Sequence, residues 1–296
     1  MGGKTSGGGQ RRQSDQALSP GLYLVATPIG NASDITLRAL HVLKNADAVF
    51  AEDTRVTAKL LALHALNRPL HSYREHNADR AEIEIIRELE KGHAVALVSD
   101  AGTPLISDPG QRLVESVTAQ GHPVFPIPGA SAALAALTAS GLAGDKFLFA
   151  GFLPSHGPER RRAIREVETV PATLVFFEGP SRLAESLADL AALLGDRPAA
   201  VARELTKLHE EIRRAPLTDL AAHYAQHGDV KGEIVIVVAP PTANAGAVAI
   251  DKLDQQLAEA LKRHPVKDAA AIVAAALGLP RREVYARALE LKKQDA

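Results

Sequence analysis

Short apolar runs alternate along this chain with segments whose apolar residues recur every third or fourth position. A near-continuous apolar run fits a strand buried on both faces, and the longer period fits a helix with one buried side. Leu22–Thr27, Ala48–Glu52, Leu70–Tyr73, Ala94–Ser99 and Val124–Ile127 are therefore expected as strands. Ile35–Asn45, Val56–Leu66, Ala78–Lys91, Gln111–Gln120 and Ala130–Ser140 are expected as helices. Strand and helix in turn predict a mostly parallel sheet with helices on both faces. After a linker at Leu142–Lys146, a second set follows. Its strands are Phe147–Gly151, Thr173–Glu178, Ala199–Arg203 and Glu233–Ala239, and its helices Glu159–Glu168, Arg182–Leu194 and Thr218–Gln226. A Pro/Ala/Gly linker, Pro240–Ala249, leads to three short helical patterns ending near Lys293. The chain thus divides into a polar tail (1–19) expected to be disordered, α/β domains at 20–141 and 146–240, and a small helical module at 250–296.

Composition narrows the chemistry. The 296 residues include no cysteine, which removes disulfides, thiolate nucleophiles and cysteine zinc sites. A net charge of -1 gives no global field for nucleic acid or a membrane, so such a partner needs a local basic patch. No apolar run approaches the roughly 20 residues of a membrane span, and the start of the chain has no secretory core. A cytoplasmic protein is expected. Gly3-Lys4-Thr5 looks like the end of a phosphate loop but lacks its upstream glycine and strand.

Four turns stand at the carboxyl ends of first-half strands: Thr27–Asn31, Glu52–Arg55, Asp100–Pro104 and Pro128–Ser131. Ligands of open α/β sheets bind in the crevice outside these strand ends. Glycines there admit a close backbone approach, and the helix that follows offers free N–H donors. Each turn alone is accounted for by turn chemistry, and Glu52–Arg55 alone by a helix cap with a local ion pair. Four together favour a shared ligand crevice. None is a G-x-G-x-x-G fingerprint or a G-x-S-x-G elbow, and no histidine spacing suggests a metal.

Longer motifs run in a recognisable order. They are A-T-P-I-G-N, A-E-D-T-R, H-N-A-D-R, V-S-D-A-G-T-P-L-I-S-D-P-G, P-I-P-G-A-S-A, G-F-L-P, F-F-E-G-P-S-R, R-E-L-T-K-x-H-E-E and K-G-E-I-V-I-V-V. From Leu22 to Ala239 the chain resembles the tetrapyrrole methylase superfamily, and in particular its branch acting on small-subunit ribosomal RNA. V-K-D-A-A and R-E-V-Y-A-R-A-L extend the likeness into the last helices. The resemblance implies two α/β domains with S-adenosylmethionine in the cleft between them, and no metal. It implies a homodimer that methylates the 2′-hydroxyl of a cytidine in 16S RNA, taken as substrate in the assembled subunit.

Carried over by position, Asp100, Ala101, Gly102 and Thr103 match the donor-binding loop. Pro28 and Gly30 match the first Gly/Pro-rich loop, and Ala130 and Ser131 the loop at the donor's amino-acid end. Phe177, Glu178, Lys231, Gly232 and Glu233 belong to the second domain's side of the cleft. Three departures stand out: Ala130 replaces a proline, Ser181 a histidine, and Ala32-Ser33 an apolar-acidic pair. The acceptor hydroxyl must lose a proton, and Glu52, Asp53, Asp108, His76, Glu204, Lys207 and Glu210 are candidates to take it. Glu204 and Lys207, with Asp53 and Arg55, are expected to line the acceptor pocket. Arg160, Arg161, Arg162 and Arg165 begin a helix and suit phosphate contacts, with a solvated helix face as the rival reading. Phe147, Phe149, Phe152 and Phe176 are expected in the core, whereas alternation turns Phe177 the other way. Two rival functions remain: a tetrapyrrole C-methyltransferase, and a non-catalytic nucleic-acid-binding protein that would not bind the donor.

Overall fold

The computed structural model describes residues 17–106, 111–227, 230–241, 253–277 and 281–294. Most of the tail with Gly3-Lys4-Thr5, Asp108 and most of the second linker lie outside the described residues.

The first half is a five-stranded sheet. Its strands are β1 (Gly21–Val25), β2 (Ala48–Ala51), β3 (Leu70–Ser72), β4 (Ala94–Val98) and β5 (Val124–Ile127), in the order β3-β2-β4-β1-β5. Every pairing is parallel, as the near-continuous apolar runs require. Helices α1 (Leu37–Asn45) and α2 (Thr54–Leu63) cover one face, and α3 (Ala78–Glu90) and α4 (Gln111–Ala119) the other. Alternation divides the strands cleanly. Tyr23, Val25, Ala96 and Val98 face α1 and α2, while Leu22, Val95 and Leu97 face α3 and α4. Burying each large apolar side chain contributes about 1.5–3 kcal/mol, which fixes the register against a one-residue slip. Thr36 caps α1 by accepting from the Ala39 N–H at 3.1 Å.

The second half differs in topology. Its strands are β6 (Phe147–Phe152), β7 (Thr173–Glu178), β8 (Pro198–Arg203), β9 (Glu211–Pro216) and β10 (Ile234–Val238), in the order β6-β7-β10-β8-β9. Only β6 and β7 pair in parallel; the other three pairings are antiparallel. Helices α6 (Gly157–Val167), α7 (Leu183–Leu194) and α8 (Leu217–Gln226) pack on one face around Phe176, Leu187 and Ile236. The other face, with Val175, Ala200, Ala202, Val235 and Val237, is covered by α5 (Ala132–Ser140) and Ile29. So α5 follows the first sheet in the chain but packs on the second. Arg214 of β9 donates from Nε to the Ser140 carbonyl at 3.1 Å and from a terminal nitrogen to the Ala139 carbonyl, at the electronegative end of α5.

The third layer is α9 (residues 253–261), α10 (Val266–Leu277) and α11 (Arg281–Gln294). Its core of Leu257, Ala270, Val273, Val284 and Ala288 is its own. Arg287 makes a bidentate pair with Asp254 at 2.8 and 2.7 Å. No described helix is long and apolar enough to cross a membrane.

Candidate active site

The four strand-end turns meet at the Val98–Pro104 turn, which is hydrogen-bonded to each of the others. Thr27 and Gly102 exchange both backbone bonds, at 2.9 and 3.0 Å. The Thr27 hydroxyl donates to the Ser99 carbonyl at 3.1 Å. The Asp53 N–H donates to Asp100 Oδ1 at 2.8 Å, and the Thr103 hydroxyl donates to the Ala130 carbonyl at 3.2 Å. These bonds fix the turns as one rim along the carboxyl ends of β1, β2, β4 and β5.

Between this rim and the second sheet lies a cleft of about 430 Å³. Asp100, Ala101, Gly102, Thr103 and Ser131 line it from the first half; Phe177, Glu178, Gly232 and Glu233 line it from the second. Its apolar wall is Ile29, Ala202, Leu205, Ile234 and Val235. Pro28, Gly30, Ala130 and Lys231 do not line the cleft and stand just behind it. Ala130 supplies the carbonyl that holds Thr103, and the exposed Lys231 carbonyl accepts from Arg203 at 3.2 Å.

Gly30 has a distinct task. A Cβ there would lie 2.5 Å from Lys207 Cγ and 2.8 Å from the Thr206 hydroxyl, so only glycine lets the second half close on the first loop. The Asn31 N–H donates to that hydroxyl at 3.0 Å. The β8–β9 turn that makes this contact is strained: Glu204 and Thr206 have φ of 51° and 66°. Such backbone persists where surrounding bonds over-determine it. Glu204 Oε1 accepts from Lys207 Nζ at 2.9 Å and from the Glu233 N–H at 3.0 Å, and Lys207 Nζ also reaches Glu233 Oε2 at 3.0 Å. Lys207 and then the Glu233 N–H hold the Glu204 carboxyl below its ordinary range. Burial works against the Lys207 charge, but its two carboxylate partners outweigh burial and hold the ammonium. The pair is therefore an ion-paired latch at the cleft edge and is poorly suited to exchanging protons near neutral pH.

Asp53 and Arg55 form the cap that turn chemistry allowed. Asp53 caps α2 by accepting from the Arg55 N–H at 2.9 Å, and its carboxylate also binds Arg55 Nε at 2.9 Å and Arg74 at 3.3 Å. Arg55, through its side chain and then its N–H, keeps this carboxyl well below the carboxylate range. Glu178 reaches the cleft only through its other atoms. Its buried carboxylate accepts from the Gly179 N–H at 2.6 Å, Arg182 Nε at 2.9 Å and the Ser186 hydroxyl at 2.5 Å. Glu52 lines the cleft beside Asp100, and there burial, followed by the Asp100 charge, raises its carboxyl above the ordinary range.

Sequence reasoning misplaced two aromatic residues. Phe176 is core, but Phe147 and Phe152 are 43% and 56% exposed. Both lie on β6, an edge strand whose pairing with β7 shifts register between Phe149 and Phe152. Phe152 lines the cleft with its ring centroid 5.4 Å from that of Phe177. The arginine helix is also divided. Arg160 is 4% exposed, held by Asp189 at 2.7 Å and Glu185 at 3.2 Å on α7. Arg161 shares Asp189 at 3.4 Å. Arg162 and Arg165 remain on the open surface.

Comparison with known proteins defines the class and then the family. Residues 21–221 match the model of the tetrapyrrole (corrin/porphyrin) methylases. Solved structures agree on the fold. A cobalt precorrin-4 methyltransferase superposes with a TM-score of 0.55 at 19% identity, covering 74% of this chain and 94% of that one. A Thermus thermophilus uroporphyrin-III C-methyltransferase complexed with S-adenosyl homocysteine gives 0.53 at 22%, covering 74% and 96%. Residues 247–292 match the RsmI C-terminal helix-turn-helix domain model. The protein described as ribosomal RNA small subunit methyltransferase I is 52% identical in Mesorhizobium japonicum, over 96% of each chain. Its counterpart in Escherichia coli O157:H7 is 42% identical, over 95% of this chain and 99% of that one. This chain is a methyltransferase and belongs to the ribosomal RNA small subunit methyltransferase I family.

Proposed function

We propose that the cleft binds S-adenosylmethionine and that the enzyme transfers its methyl group to the 2′-hydroxyl of a cytidine in small-subunit ribosomal RNA. The observation that carries this reading is the joining of two motifs at one cleft. The Val98–Pro104 turn lines it from one half, and the Arg203–Glu210 turn borders it from the other, in a chain whose relatives bear the name of that RNA. The cleft suits the donor. Its volume lies within the roughly 300–1,000 Å³ of small-molecule sites, with an apolar wall and a few convergent polar groups. Ile29, Leu205, Val235 and Phe177 suit an adenine face, and Asp100, Thr103 and Ser131 suit the hydroxyls and the amino-acid end.

The donor supplies an already activated methyl group, so the protein's task is positioning and proton removal. The apolar wall excludes water. The stitched rim fixes Asp100, and the Glu204–Lys207–Glu233 latch sets how closely the second sheet approaches the first. Phosphate contacts fall to Arg162 and Arg165, because the guanidinium groups of Arg160 and Arg161 are engaged with α7. The working form is a cytoplasmic homodimer acting on the assembled subunit.

Mass mapping of ribosomal RNA from cells lacking the protein tests this reading. Loss of one cytidine ribose methyl group in the small-subunit RNA, restored by the wild-type gene, is the expected result. An unchanged map overturns it.

A further inference from the structure

Among the described residues, five carboxylates besides Glu52 stand in or beside the cleft, and each is already engaged. Asp53 binds Arg55 and Arg74. Glu204 and Glu233 share Lys207. Glu178 is closed off by Arg182, Ser186 and the Gly179 N–H. Asp100 holds the Asp53 N–H at 2.8 Å and so fixes one turn against another. Lys207 itself is held as an ammonium. Of these six carboxylates only Asp100 and Glu52 line the cleft without an ion pair, and Asp100 is spent on the Asp53 N–H that ties the β2 turn to the β4 turn.

Glu52 is the one that remains. It follows β2, whose Ala51 pairs with Val98 of β4, and this places it beside Asp100 on the cleft wall. Among the described residues its carboxylate has no ion pair, and the Asp100 N–H is directed at it. The nearest cation, Arg74, is spent elsewhere. Its Nε donates to the Glu52 carbonyl at 2.8 Å, and its terminal nitrogen lies 3.3 Å from Asp53. Tyr73 and Glu52 both line a second, small recess. The charged groups facing Glu52 are thus Asp100, Asp53 and Arg74, two anions against one cation.

We infer that Glu52 takes the proton from the acceptor ribose hydroxyl during methyl transfer, an inference that rests on the reading of the cleft as a 2′-O-methylation site. The hydroxyl oxygen forms a bond to the methyl carbon as the sulfur–carbon bond breaks. The electron pair stays on sulfur, giving neutral S-adenosylhomocysteine, and the hydroxyl proton passes to the Glu52 carboxylate and then to solvent. A carboxyl raised by burial and a neighbouring anion is a better base than an ordinary one.

Single-turnover transfer to small-subunit particles from cells lacking the enzyme tests this, across mildly acidic to mildly alkaline pH. Calorimetric affinity for S-adenosylmethionine is measured alongside, for wild type, Glu52→Gln and Glu52→Asp. Glu52→Gln is expected to lose roughly 10²–10⁴-fold in rate with donor affinity within about threefold of wild type. The acidic limb of the wild-type profile should vanish with it, and Glu52→Asp should keep part of the rate and restore the limb. Glu52→Gln turning over at the wild-type rate, or losing donor affinity by the same factor as rate, overturns the assignment of Glu52 alone. Wild-type enzyme that binds donor but methylates no ribose in the particle overturns the reading of the cleft as well.

Discussion

At the scale of single residues, the site depends on where side chains are missing as much as on where they stand. Gly232 has φ of +99°, and a Cβ built on it would lie 2.3 Å from Glu204 Oε1. The carboxylate occupies that space because it must reach both the Glu233 N–H and Lys207. Gly232→Ala therefore has to displace Glu204 and pay the backbone cost of a left-handed alanine, about 1–3 kcal/mol in all. In a double-mutant cycle read by urea denaturation, the Gly232→Ala cost should shrink when Glu204 is already alanine, because the displaced partner is gone. Additive costs would show that the backbone conformation alone is responsible. Neither glycine's task was readable from the sequence. A glycine in a turn is expected on general grounds, but the neighbours that need the space are distant in the chain: Lys207 and Thr206 for Gly30, Glu204 for Gly232.

At the scale of elements, legibility follows burial. The parallel first sheet was readable because strands covered on both faces must be apolar throughout, as in Ala94–Val98. Strand β9 was missed. Glu211-Ile212-Arg213-Arg214-Ala215-Pro216 lies at a sheet edge, exposes its charges and ends in proline, so no apolar run announces it. Helix α6 shows the same limit from the other side. Four arginines read as one basic cluster, but helical geometry turns Arg160 inward against α7 and leaves Arg162 and Arg165 outside. The two sets should separate in experiment. Arg160→Ala should cost about 2–3 kcal/mol in urea denaturation, since it leaves the nearly buried Asp189 with a weaker partner. Arg162→Ala and Arg165→Ala should cost under about 0.5 kcal/mol each and lessen the salt dependence of particle binding. A stable Arg160→Ala protein with a flattened salt slope would place that guanidinium on RNA instead.

At the scale of the whole molecule, the second sheet shares a core with Ile29 and α5 of the first half, and the C-terminal helices have their own. Ile29 and α5, from the first half of the chain, fill one face of the second sheet, so that sheet is not fully covered without the first half. Arg214 and the Asn31–Thr206 bond fasten the same boundary at its ends. A cleft walled from both halves needs this, because its width is set by how firmly α5 and the latch hold the sheets together. The C-terminal core, from Leu253 to Leu291, includes no residue of the two sheets, and the sheets' cores include none of the module's. Cutting the chain after Pro241 should therefore leave the body melting in one cooperative transition, within about 2–4 °C of the corresponding transition in the full chain. Donor affinity by calorimetry should be unchanged, since every described residue lining the cleft precedes the cut. A truncated body that melts in two steps would show that the shared core is too weak to couple the sheets. One that loses donor affinity while melting normally would show that the module helps to close the cleft.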